Sequence, residues 1–210
     1  MKVSRDYFLE GKEQTAKNKF DPAEANLTKA LELAKKEPKA DSLDEKEIAE
    51  AWYLLGHIYN ETIRYAEALK HLKKAVSLNP DLTNAWISMA FCYYRENNIK
   101  KSAEAMNEAS KLEPDNVFVL TNLAGIYLNM DELKKAESVL NKGIKMYPND
   151  GNICYNFACL YARMENKADC LKYLEMAIKN GTPLLQGIKE ESDFNYVKGD
   201  KDFKKLLKSI

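Results

Sequence analysis

Residues 51–59 read AWYLLGHIY, and they set Trp52, Leu55, Gly56 and Tyr59 three and four positions apart, the spacing of one helical face. A glycine inside a helix costs about 1 kcal/mol relative to alanine. Gly56 therefore marks a point where something approaches too closely for a larger side chain. The pattern recurs along the chain. Trp52 returns as Trp86, Leu120 and Cys154 at intervals of 34 residues, and Tyr59 returns as Tyr93, Tyr127 and Tyr161. Pro80 returns as Pro114 and Pro148, while Pro183 slips by one. Ala68, Ser102, Ala136 and Cys170 keep the interval, as do Leu72, Met106, Leu140 and Leu174.

Three positions are small in every copy. They read Gly11, Gly56, Ala90, Ala124, Ala158; Ala23, Ala68, Ser102, Ala136, Cys170; and Ala30, Ala75, Ala109, Gly143, Ala177. Small residues at matched points of two consecutive helices are what a tightly packed antiparallel pair needs, and they give Gly56 a packing role. Prolines 80, 114 and 148 fall where each second helix must stop. Asp81, Asp115 and Asn149 follow them and are expected to cap the next helix.

These residues resemble the tetratricopeptide repeat (TPR), whose pattern is W-x2-L-G-x2-Y followed by A, F and P at fixed offsets. The resemblance implies an all-α chain, a right-handed superhelical TPR solenoid of antiparallel helix pairs with about five copies. It places the copies at 49–82, 83–116, 117–150 and 151–184, with a degenerate first copy at 4–37 in which Glu10 and Gln14 replace the usual Leu and Tyr. An insertion, PKADSLDEKEI, occupies 38–48. Within it Ser42 and Glu45 read as a capping box, so the helix that follows is expected to start early and run long. Residues 185–210 leave the repeat pattern and resemble the closing segment of many bacterial TPR proteins. There Asp200 is the expected cap of a last helix whose apolar face is Phe203, Leu206, Leu207 and Ile210. That helix is expected to cover the exposed edge of the fifth copy.

Composition narrows the function classes. Lys plus Arg and Asp plus Glu are 32 each, so no excess charge draws the chain to nucleic acid or to an anionic membrane. The opening MKVSRDYFLEGKEQ has no apolar run, and no stretch reaches membrane-spanning length without charges. The expected compartment is the cytoplasm, or the periplasm if a leader has been removed. Cys92, Cys154, Cys159 and Cys170 form no Cys-x-x-Cys pair and read as small buried hydrophobes. With only His57 and His71 as imidazoles, the spacing fits no zinc motif, and neither a metal nor a cofactor is expected. His57 has Glu61 and Glu50 on its face, but no nucleophile or Gly-rich phosphate loop accompanies it, so the chain does not read as an enzyme.

In the TPR family the first helices of successive repeats line a concave groove that binds a peptide or a partner protein. Carried onto this sequence, the resemblance implies an adaptor or scaffold. Its candidate binding residues are Tyr53, His57, Asn84, Phe91, Arg95, Phe118, Asn122, Tyr155, Asn156 and Arg163. Phe8, Tyr53, Phe91, Tyr94, Phe118 and Tyr155 place aromatic surface on that face, either for a ligand or for packing between copies. Asn122 and Asn156, 34 residues apart, read as a ladder for the backbone of an extended peptide. The Lys, Asn and Arg pattern of chaperone-binding TPRs is absent from every set of three copies, so an acidic C-terminal tail is not the expected ligand. A self-assembling scaffold is the alternative, and RNA binding is disfavoured by the few basic groove residues. The chain is expected to be a monomer or weakly self-associating.

Overall fold

The computed structural model describes residues 2–38, 42–188 and 191–208. Every regular element among them is helical. The order is α1 (Ser4–Ala16), α2 (Phe20–Ala34), α3 (Glu45–Glu61), α4 (Tyr65–Leu78), α5 (Thr83–Arg95), α6 (Ile99–Leu112), α7 (Val117–Asn129), α8 (Leu133–Met146), α9 (Gly151–Arg163), α10 (Lys167–Asn180) and α11 (Lys201–Leu207). Two 3-10 turns, Pro183–Gly187 and Ser192–Tyr196, lie between α10 and α11. The chain forms two compact units, 1–112 and 113–210, so the first holds α1 to α6 and the second α7 to α11. Within each unit, consecutive helices pack as pairs.

The small positions are the points of closest approach. Ala23, Ala68, Ser102, Ala136 and Cys170 are all fully buried, as are Ala30, Ala75, Ala109 and Ala177. A Cβ on Gly56 would stand 2.5 Å from Leu72 Cγ and 3.3 Å from the Ala68 carbonyl oxygen. Gly56 therefore makes room for the Leu72 side chain and the Ala68 backbone, where the sequence pattern had paired it with the Ala68 side chain. Gly11 does the same for Leu27 in the first copy, with a Cβ-to-Cγ distance of 2.7 Å. Ser102 keeps a polar group in this contact by donating its hydroxyl to the Ala90 carbonyl at 2.8 Å, so the buried oxygen is satisfied.

One device joins every pair. Asn18, Ile63, Asn97, Asp131 and Glu165 all have positive φ, between 54° and 63°. In each copy this residue's N–H bonds to the carbonyl three back, and the next N–H bonds five back. In the second copy Ile63 N donates to Asn60 O at 3.0 Å and Arg64 N to Tyr59 O at 2.8 Å. This is a Schellman turn, which satisfies the orphan carbonyls at a helix end. In copies two to five the acceptor of the longer bond is the signature tyrosine: Tyr59, Tyr93, Tyr127 or Tyr161.

The helix starts correct some expectations. Asn116 caps α7 and Asp150 caps α9, each one residue after the expected Asp115 and Asn149. The N-cap of α5 is Leu82, with no side-chain bond, so Asp81 does not cap it. The capping box before α3 is Asp44 with Glu47, while Ser42 donates its hydroxyl to the Ala34 carbonyl at 2.9 Å. The resulting helix is indeed long, 17 residues against 13 for α5, α7 and α9. Residues 39–41 of the insertion lie outside the described residues.

The second unit is closed by its last segment. Asp200 caps α11 by accepting from Asp202 N at 2.8 Å and Phe203 N at 3.3 Å. Phe194 and Phe203 are almost wholly buried, and Leu206 and Leu207 pack against the same cluster. Ile210 lies outside the described residues.

Candidate functional site

The first helices carry the candidate residues, and the two units present them differently. In the first unit α1 packs beside α3 and α3 beside α5. Polar bridges cross the first of these seams. Arg5 makes a two-pronged pair with Glu47, at 3.1 and 2.8 Å, and reaches the Ser42 carbonyl at 3.3 Å. Lys12 pairs with Glu50 at 2.7 Å and lies over the Phe8 ring. Phe8 and Leu54 are buried, so these two belong to the core.

The remaining surface is mixed and partly apolar. Tyr53 and His57 stack one helical turn apart, with ring centroids 6.3 Å apart. Burial, then the Glu50 carboxylate, raises the Tyr53 phenol above its ordinary value, which keeps it a neutral hydrogen-bonding group. Leu9 is 55% exposed and Tyr94 41% exposed. Phe91 is half-buried, while Asn84 and Arg95 are exposed at the two ends of α5.

The second unit differs. Phe118, at the start of α7, is half exposed. Asn122 turns back on its own helix and donates to the Phe118 carbonyl at 2.6 Å. Asn156 is buried and donates to the Thr121 carbonyl at 2.9 Å, joining α9 to α7. The two asparagines thus make unlike bonds. Tyr155 is buried edge-on against Phe194, with centroids 5.8 Å apart. Arg163 binds Asp193 at 2.6 Å, donates to the Leu128 carbonyl and lies 3.8 Å from Asp131. Thr182 donates its hydroxyl to the Asn152 side chain. Residues 182–188 and 191–197 therefore fill the first-helix face of the fifth copy, and Tyr155, Asn156 and Arg163 are engaged inside the unit.

Asp193 and Phe194 are the partners that sequence reasoning missed. An acid and an aromatic lie adjacent in SDF, matching Arg163 and Tyr155 on α9 in chemistry, and that complementarity was the available signal.

All four cysteines are buried, and burial pushes the Cys92 thiol up to about 12 and the Cys170 thiol up to about 11. Cys159 is also raised by burial, with Asp193 and Glu191 adding to the effect. A nucleophilic thiol needs the opposite shift. Among the described residues no three His, Cys, Asp or Glu side chains converge as metal ligands. No helix among them is long and apolar enough to cross a membrane.

Comparison with known proteins places this geometry. A sequence profile of the family described as N-terminal acetyltransferase A, auxiliary subunit, matches residues 3–147. No curated protein sequence matches the chain. Among solved structures, YrrB, described as a TPR protein with an unusual peptide-binding site, superposes with a TM-score of 0.72 at 21% identity, covering 88% of this chain and 89% of that one. MamA gives 0.69 at 21% identity, covering 81% and 93%. PilF of Pseudomonas aeruginosa gives 0.69 at 18% identity, covering 98% and 87%. At these identities the likeness is one of fold, and the fold is the TPR solenoid.

Proposed function

The chain belongs to the N-terminal acetyltransferase A auxiliary-subunit family, and from that premise we propose that it is a non-catalytic scaffold holding a partner polypeptide on the first-helix face of its first unit. Auxiliary subunits act through a protein they bind, and YrrB, alike in fold, is described as having a peptide-binding site. The observation that carries the assignment is the contrast between the units. On α9 the corresponding positions are buried under residues 182–188 and 191–197, whereas Leu9, Tyr53, His57, Phe91 and Tyr94 in the first unit are exposed or half-exposed. Aromatic and aliphatic surface of this kind, rimmed by charged pairs, suits a protein interface.

Affinity capture from the native lysate tests the proposal, using the full chain and a Tyr53→Ala, Phe91→Ala variant of unchanged circular dichroism. The variant is expected to lose the captured partner. Equal capture by both would place the interface elsewhere on the molecule. Light scattering on the purified chain separates a monomeric scaffold from one whose partner is a second copy.

A further inference from the structure

Trp52 and Tyr59 hold between them a side chain that the repeat pattern does not require. The His71 ring, on α4, lies 5.3 Å from Trp52 at an interplanar angle of 24° and 4.9 Å from Tyr59 at 2°. Cations engage both neighbours: Lys74 Nζ is 4.0 Å from the Trp52 centroid, and the Arg64 guanidinium is 4.1 Å from that of Tyr59. Tyr59 also donates its hydroxyl to Glu24 at 2.6 Å, which ties the stack to α2.

His71 Nδ1 is buried without a hydrogen-bond partner. A neutral imidazole tolerates this when Nδ1 is the unprotonated nitrogen and its hydrogen sits on Nε2. A second proton changes the balance. It puts an N–H on Nδ1 where nothing accepts it, and a buried donor left unmade is costly. It also adds positive charge beside Lys70, Lys74 and Arg64, with Glu24 on α2 as the opposing carboxylate. Glu24 already accepts from Tyr59 and lies 3.8 Å from Arg64. The other helix packed on α4, α5, has Arg95 as its one charged residue.

We propose that His71 is a pH-sensitive latch: neutral, it completes the Trp52–His71–Tyr59 stack that locks α4 onto α3, and protonated, it leaves the stack and loosens the pair. Burial first, and then Lys74, holds its pKa below the ordinary value, which agrees with a preference for the neutral ring. The fifth copy makes a related contact, with Tyr161 at the position of Tyr59 and Phe157, at the position of Leu55, in place of the tryptophan. The residue 102 positions on, three repeats along, is Tyr173, and it stacks 4.5 Å from Phe157 and 5.6 Å from Tyr161. A ring that does not titrate near neutrality serves there. Because α3 also carries Tyr53 and His57, loosening of the pair would reach the proposed binding face; that link rests on the proposed function, while the latch itself does not.

The test uses the full chain, which has two histidines and two tryptophans. Imidazole NMR signals and Trp52 emission in a Trp86→Phe background are followed from about pH 8 to about pH 5. His71 is expected to titrate below the ordinary histidine value, with Trp52 emission changing over the same range. His71→Tyr is expected to abolish that change, and His71→Phe provides the same control if the tyrosine variant folds poorly. Persistence of the emission change in a folded variant lacking His71 would overturn the latch. So would titration of His71 with no response from Trp52.

Discussion

Arg163 and Asp193 meet at 2.6 Å across 30 residues of sequence, and the carboxylate of the pair is nearly buried. Arg163 comes from the last turn of α9 and Asp193 from the segment that returns over it. Asp193→Ala leaves the guanidinium short of its strongest partner. A hydrogen bond to a charged group is worth about 1.5–3 kcal/mol, so this is the expected loss in stability. Hydrogen exchange should locate it in α9 and residues 191–197. Unchanged protection there would mean that Phe194 and Phe203 alone hold the segment.

Ile63 is a β-branched residue in the left-handed region, with φ of 63° and 73% exposure. The equivalent turns at Asn18 and Asn97 use asparagine, which tolerates this conformation. Ile63→Asn is expected to stabilise the protein by about 1 kcal/mol, or about 2–4 °C in melting temperature. A lower melting temperature would show that the Ile63 side chain makes a contact worth more than its backbone strain.

Asn122 and Asn156 should behave differently when truncated. Asn156→Ala removes a buried bond between α9 and α7 and leaves the Thr121 carbonyl without that donor, at an expected cost of about 1–3 kcal/mol. Asn122→Ala loses a bond within one helix at a half-exposed site and is expected to stay within about 0.5 kcal/mol of the parent. Denaturant titration of the two single variants decides this. Equal losses would show that the two amides contribute alike to the fold.

The thiols should resist alkylation at neutral pH, because all four are buried. The linkage is clearest for Cys92, whose folded value of about 12 lies above the ordinary 9.0. Its contribution to stability is complete below pH 9 and is lost as pH rises toward 12, since the unfolded chain gives up its proton first. Iodoacetamide labelling with mass readout checks the first point. Chemical denaturation of the parent against Cys92→Ala at alkaline pH checks the second.

The helices were legible because their starts follow the period: Thr83, Val117 and Gly151 open first helices 34 residues apart. The turns within pairs were not legible, since one left-handed position is filled by Asn, Ile, Asp or Glu. There the geometry of the helix end sets the backbone, and the residue type records it poorly. The caps of α7 and α9 were misplaced by one residue because a polar pair follows each proline and either member could serve. The candidate face was legible on α3 and α5 as a set of helical positions. Its loss on α9 depends on residues 182–188 and 191–197 folding back, which no local spacing encodes.

That folding back has a consequence for assembly. Thr121 on α7 is covered by α9, whose Asn156 reaches its carbonyl. Tyr155 is the residue 34 positions after Thr121, and it is covered by Phe194. The tail thus stands in for a sixth copy. An array of identical modules is an open-ended polymer whose last unit would accept another, from its own chain or from a neighbouring molecule. Here that face of the fifth copy is already occupied, by a stretch that is itself not a module. Exchanging the residues after Asn180 for one more helix pair with its own terminator would lengthen the chain without redesigning any existing copy.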